Sequence, residues 1–310
     1  MTTSAGYVVR VVADLLLVTT PSRSQLWIAG ARPRTLPAAV APVLAGTGVA
    51  AFADSVVWWK ALLALGVSLA LQVGVNYAND YSDGVKGTDD DRVGPLRLVG
   101  SGLVPARQVK IAALAFLALG GALGFALAAT SSWWMLLVGA AAILAAWTYT
   151  GGPSPYGYRA LGEVSVFLFF GLVAVVGTAY VQIEEITWLS VAAGVGVGAL
   201  ACAILVANNL RDIPTDTVSG KRTLAVLLGD KLTRRFYALL LLVALSCLVW
   251  ASAFTTWALL GLVFVPLAVR ARQVVASGAK GLALIPVLKD TGIAELVYAG
   301  GLALGLVLGA

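Results

Sequence analysis

Asn76-Tyr77-Ala78-Asn79-Asp80-Tyr81-Ser82-Asp83 closes an apolar run that begins near residue 57, and Asn208-Asn209-Leu210-Arg211-Asp212-Ile213-Pro214-Thr215-Asp216 closes another that begins near residue 187. A run of about twenty apolar residues ending in carboxylates and carboxamides reads as a membrane helix with its polar chemistry at one edge. On a helix Asn76, Asn79/Asp80 and Asp83 fall at i, i+3/i+4 and i+7, and Asn208 and Asp212 at i and i+4, so each set shares a face. Pro214 is expected to end the second helix, leaving Asp216 just beyond it. The two stretches also repeat. A shift of 133 residues brings Asn76 onto Asn209, Asn79 onto Asp212, Asp83 onto Asp216, Val85 onto Val218 and Gly87 onto Gly220. Two halves are therefore expected to bring one acidic helix end each to a shared cavity.

The rest of the chain fits that reading. Its 310 residues are 60% hydrophobic and 12% charged, with a mean hydropathy of +0.92. Such a composition marks an all-α polytopic membrane protein and excludes a soluble globular domain. Apolar segments at about 37–54, 57–79, 108–129, 132–150, 163–182, 187–209, 234–252, 254–270 and 291–308 predict nine transmembrane helices around a central cavity. No long polar insert divides residues 1–310, so one domain is expected. Residues 1–36 read as its cytoplasmic N-terminal segment, with an interfacial helix at residues 7–20 because Arg10 and Asp14 interrupt that apolar run.

With the N-terminus cytoplasmic, every Lys and Arg except Lys60 falls on the cytoplasmic side, as the positive-inside rule requires. The C-terminus is then outside, and both acidic motifs face the cytoplasm from a multi-pass cell membrane protein. The net charge of +6 is on this reading a topology signal, with no nucleic acid partner implied. The chain has no histidine, which excludes imidazole bases, haem ligands and the usual zinc sites. Cys202 and Cys247 lie in apolar runs and read as small buried hydrophobes. The spacings Gly194-x-Gly196-x-Gly198 and Gly301-x3-Gly305-x3-Gly309 read as close helix packing.

Carboxylates at a membrane edge call for a cation. Mg²⁺ suits them, because it takes a few carboxylates together with phosphate oxygens and water. Asn76, Asp80, Asp83, Asp212 and Asp216 are the candidate ligands, with Asn79 and Asn208 beside them. Lys86 and Arg97 follow the first motif, and Lys221 and Arg222 the second, where they would hold a diphosphate. Asp89-Asp90-Asp91 reads as a solvated turn. A diphosphate ester in an apolar cavity points to a prenyl diphosphate, whose C–O bond breaks toward an allylic cation. Aromatic faces would stabilise that cation, and Trp147, Tyr149, Tyr156 and Tyr158 cluster beside Arg159, with Tyr149 the catalytic candidate. An ion-coupled transporter is the rival class, although its acids should lie near mid-membrane.

At these residues the sequence resembles the UbiA-type intramembrane aromatic prenyltransferases over about residues 30–230. Asn79-Asp80-x-x-Asp83 is similar to that family's first aspartate-rich motif and Asp212-x3-Asp216 to its second, while Gly87 stands where the first motif often has a further Asp. Ala31–Leu36, Asn79–Asp89 and Asn208–Ala225 resemble the menaquinone branch of the family. The resemblance implies nine helices around a cavity open sideways to lipid, and Mg²⁺-diphosphate held by the two motifs. It further implies transfer of a polyprenyl chain from its diphosphate to an aromatic acid, 1,4-dihydroxy-2-naphthoate, with loss of CO₂ to give demethylmenaquinone. An acceptor such as 4-hydroxybenzoate or homogentisate is the alternative. Arg34 and Arg159 are the candidates to meet the acceptor carboxylate.

Overall fold

The computed structural model describes residues 22–87 and 96–310. The interfacial helix expected at 7–20 and the Asp89-Asp90-Asp91 turn lie outside the described residues. A short helix α1 (Arg23–Ala31) and a 3₁₀ turn (Pro33–Thr35) lead into α2 (Pro37–Phe52), followed by α3 (Trp58–Lys86), α4 (Ala106–Ala129) and α5 (Met135–Thr148). Then come α6 (Gly162–Ile183), α7 (Trp188–Val218), α8 (Leu224–Ala251), α9 (Thr256–Ala276) and α10 (Gly281–Leu308). Among the described residues, extended pairing is confined to one isolated bridge, Arg159 with Arg222.

Among the described residues, helices α3, α4 and α6 to α10 are seven that are long and apolar enough to cross a membrane, and the bent pair α1–α2 makes an eighth if counted as one span. The chain is thus an all-α, multi-pass membrane protein. Two of the nine expected spans are shorter than a crossing. The segment at 37–54 is the 16-residue α2, joined to the preceding helix at a 48° bend. The segment at 132–150 is the 14-residue α5, about 21 Å long at 1.5 Å per residue against a hydrocarbon core of about 30 Å.

Both motif helices run further than the apolar pattern foretold. Helix α3 continues to Lys86 and ends on Gly87, whose φ of 70° lets its N–H close back on Asp83 and Gly84. Helix α7 runs through Pro214 to Val218, so Pro214 does not end it and Asp216 is helical. The missing proline N–H leaves the Leu210 carbonyl without its usual intrahelical donor.

Helix α7 is the axis of the bundle, with most of its residues between Leu189 and Asp212 buried, and it packs between α6, α8 and α10. The small-residue spacings serve that packing: a Cβ on Gly171 of α6 would lie 2.5 Å from the Gly198 Cα of α7. Gly301 and Gly305 of α10 likewise meet backbone atoms of α9. Inside α6, Phe167–Val173 widens into a π-helical turn that brings Phe169 and Phe170 to the central cavity. At the bundle end away from the motifs, buried Lys60 pairs with Glu184 at 3.9 Å.

Candidate active site

A cavity of about 430 Å³ lies between α2, α3, α5, α6 and α7. Polar side chains gather at one end: Arg32, Thr35, Gln72, Asn76, Asn79, Asp83, Arg97, Asn208, Asn209, Asp212, Asp216 and Lys221 all border it. Beyond them the wall turns apolar, through Val67, Leu71, Leu127, Met135, Val138 and Phe170. The two motifs, 133 residues apart, therefore do meet in one space.

The first motif does not present all its acids. Asn79 and Asp83, at i and i+4, border the cavity, whereas Asp80 does not. Asp80 is wholly buried, and its two carboxylate oxygens accept the backbone N–H groups of Leu98 and Val99 at 2.9 and 3.0 Å. Three positions short of Asp83 on a helix of 3.6 residues per turn, it faces the returning loop. That clamp sets the position of the adjoining Arg97, which borders the cavity. Asn76 borders the cavity with its amide already committed: Nδ2 donates to the Ala31 carbonyl and to Thr35 Oγ1 at 2.9 and 3.0 Å, and Oδ1 accepts from Gln72 at 3.4 Å. The structure thus places two of the proposed metal ligands, Asp80 and Asn76, in bracing contacts.

The loop after α5 wraps the same motif. Thr150 Oγ1 donates to Asn79 Oδ1 at 2.7 Å, and the Tyr158 hydroxyl donates to Asp83 in a very short bond. Lys221 Nζ stands 3.6 Å from Asp83 Oδ1. It also stands 4.8 Å from the centre of the Tyr158 ring, with Lys86 on the same ring at 5.2 Å. Lys86 Nζ donates to the Thr150 carbonyl at 2.7 Å and is absent from the cavity wall. Tyr149, Tyr156 and Tyr158 line the cavity, but Trp147 stacks on Tyr81, with centroids 6.3 Å apart, outside it. Burial raises the Tyr156 phenol above the usual tyrosine range, against the lowering effect of its bond to Ser165, so it stays neutral.

In the second motif, Arg211 grips Asp212 with two donors, Nε at 2.6 Å and Nη2 at 2.7 Å, and also donates to Asn208 Oδ1 at 2.9 Å. Asn208 Nδ2 approaches Asp212 Oδ2 at 3.4 Å. Arg222 and Arg159 are exposed and away from the cavity. Their contribution is backbone: Arg222 N–H donates to the Tyr158 carbonyl at 3.0 Å, joining the two loops that carry Lys221 and Tyr158.

Arg34 is also exposed, while Arg32 borders the cavity and donates to the Asn76 carbonyl at 3.4 Å. Arg32, Gln72 and Thr150 were not legible as site residues. The available signal for Arg32 was a pair of arginines flanking Pro33 just ahead of an apolar run. Among the described residues no three acids, cysteines or histidines stand close enough to hold a metal alone. An oxygen-only set without a complete protein cage fits Mg²⁺ bound jointly with a diphosphate.

A profile of the UbiA prenyltransferase family matches residues 39–280. The chain belongs to that family. It is 57% identical to the 1,4-dihydroxy-2-naphthoate octaprenyltransferase of Mycobacterium tuberculosis over 91% of this chain and 97% of the relative. It is 38% identical to the enzyme of the same description from Escherichia coli, over 87% and 91% of the two chains. The UbiA fold is seen directly in a homologue from Archaeoglobus fulgidus solved with DMAPP and Mg²⁺, which superposes with a TM-score of 0.67 at 16% identity, covering 91% of this chain and 99% of that one. The apo UbiA homologue from Aeropyrum pernix also gives 0.67, over 87% and 97%.

Proposed function

We propose that this protein transfers a polyprenyl group from polyprenyl diphosphate to 1,4-dihydroxy-2-naphthoate, releasing diphosphate and CO₂ to form demethylmenaquinone. One observation carries the reading: a single cavity has carboxylates, carboxamides and cations at one end and apolar side chains along the rest. That is the shape of a polyprenyl diphosphate. The high identity to naphthoate octaprenyltransferases across nearly the full length supports the choice of acceptor.

Asn79, Asp83, Asp212 and Asp216 would hold Mg²⁺, with Asn208 at their side and Lys221 and Arg97 against the diphosphate. When bound, Mg²⁺ neutralises charge on the leaving diphosphate. Tyr149, Tyr156 and Tyr158 line the cavity and would meet the carbon that ionises, where their rings favour positive charge. Arg32, on the α1 side of the polar end, is placed to meet the acceptor carboxylate. The prenyl tail follows the wall from Leu71 toward Leu127 and Met135. From Asp83 to Ala64 that wall follows α3 for about 28 Å at 1.5 Å per residue. Nine membrane segments, with α1–α2 and α5 completing the seven long helices, would put the motif end and its basic loops at the cytoplasmic face.

The test is an assay in nanodiscs with a polyprenyl diphosphate, Mg²⁺ and either 1,4-dihydroxy-2-naphthoate or 4-hydroxybenzoate. Prenylated, decarboxylated naphthoquinol is expected, and EDTA should abolish it. Product from 4-hydroxybenzoate alone would overturn the acceptor, and metal-independent product would overturn the head site.

A further inference from the structure

Glu163 is a buried carboxyl for which the reaction above has no use. It stands in the first turn of α6, only 5% exposed. An ionisable group in such a place is costly unless it is paired, and it is retained where it serves a site. Its Oε1 accepts from Asn209 Nδ2 at 3.0 Å, while Oε2 has no hydrogen-bond partner among the described residues. The turn is held to α7 from behind: Cys202 Sγ donates to the Glu163 backbone carbonyl at 3.1 Å. Gly162 next to it abuts the Tyr149 hydroxyl, which a Cβ at that position would approach to 3.0 Å.

Asn209 borders the cavity, three and seven residues ahead of Asp212 and Asp216, and so on their face of α7. The two ends of a carboxamide diverge, and a carboxylate offers only acceptors. Giving Nδ2 to Glu163 therefore turns the Asn209 carbonyl oxygen the other way. Asn76, the repeat mate of Asn209, differs in that its Oδ1 and Nδ2 are both bonded to protein groups.

We propose that Glu163 is a positioning residue which, by accepting from Asn209 Nδ2, presents Asn209 Oδ1 to the cavity as a further oxygen ligand for the Mg²⁺ that carries the diphosphate. The inference rests on the head-group reading given under Proposed function. Partners that orient a metal ligand typically carry a 10- to 100-fold share of metal affinity.

The experiment measures Mg²⁺-dependent binding of geranyl diphosphate, without acceptor, to the full chain in nanodiscs by calorimetry. Glu163→Ala and Asn209→Ala are each expected to weaken binding by roughly 10- to 100-fold, and the double variant to be no weaker than either single one. Glu163→Gln, whose amide oxygen can still accept from Asn209, should stay close to wild type. Additive losses, unchanged binding in Asn209→Ala, or a Glu163→Gln variant as weak as Glu163→Ala would each overturn the proposal. If Glu163→Ala fails to fold, Asn209→Ala and Glu163→Gln decide it. Normal wild-type binding with Asn209→Ala unchanged sinks this inference alone. A wild type lacking metal-dependent binding would sink the head-group reading and this inference with it.

Discussion

At the ends of α3 and α7 the chain turns in the same way. Gly87 and Gly220 take left-handed φ values of 70° and 75°, and Val85 and Val218 just ahead of them are exposed. One turn or two earlier, Asn79 and Asp83 on α3 match Asp212 and Asp216 on α7, and all four border the cavity. The bracing around them differs. On α3 the extra acid, Asp80, is committed to two backbone N–H groups of the returning loop, and Asp83 meets Lys221 from the other motif's loop. On α7 the neighbouring Arg211 neutralises Asp212 within the same helix. Helical register decides which oxygens reach the cavity, and residues outside the repeat, in the loops around α3 and at Arg211 within α7, decide what balances their charge.

The sharpest test of that comparison removes one acid from each side. Asp83→Ala and Asp212→Ala should each lower turnover by about 10²–10³-fold at saturating Mg²⁺, the scale of losing a main electrostatic contact to the reacting group. A large loss in one variant only would break the equivalence of the two helices. Next in size is Asp80→Asn. It should destabilise the protein by about 2–3 kcal/mol, because a charged acceptor of two buried N–H groups is lost, and it should leave the Mg²⁺ concentration for half-maximal activity unchanged. Thermal unfolding read beside a Mg²⁺ titration checks both, and a shifted metal dependence would return Asp80 to the metal site. Smallest are Arg159→Ala and Arg222→Ala, whose exposed side chains should change stability by no more than about 0.5 kcal/mol and leave prenyl transfer near wild type. A large fall in activity for either would show that these arginines reach the diphosphate although they lie outside the cavity wall.

Much of this was open to reading from the chain itself. The alternation of apolar runs with basic loops marks an all-α membrane bundle, and the 133-residue echo announces two helix ends meeting at one place. Individual roles were harder. Asp80 and Asp83 are three residues apart and share a face by simple spacing, yet about 300° of helical rotation sends one to a loop backbone and the other to the cavity. Trp147 is two residues before Tyr149 and points elsewhere for the same reason. Pro214 invited an early end to α7, but the helix runs through it to Val218.

What the sequence alone determined is chemistry that needs only composition and period: membrane helices, an oxygen-rich polar edge, and the absence of imidazole. Tertiary structure alone decided partnership. Glu163 and Asn209 are 46 residues apart, and Asp83 and Tyr158 are 75 apart. No local period encodes either pair, because each contact exists only once separate helices have packed. Whether a buried carboxylate binds a cation or braces a loop depends on which donors that packing brings within hydrogen-bond reach.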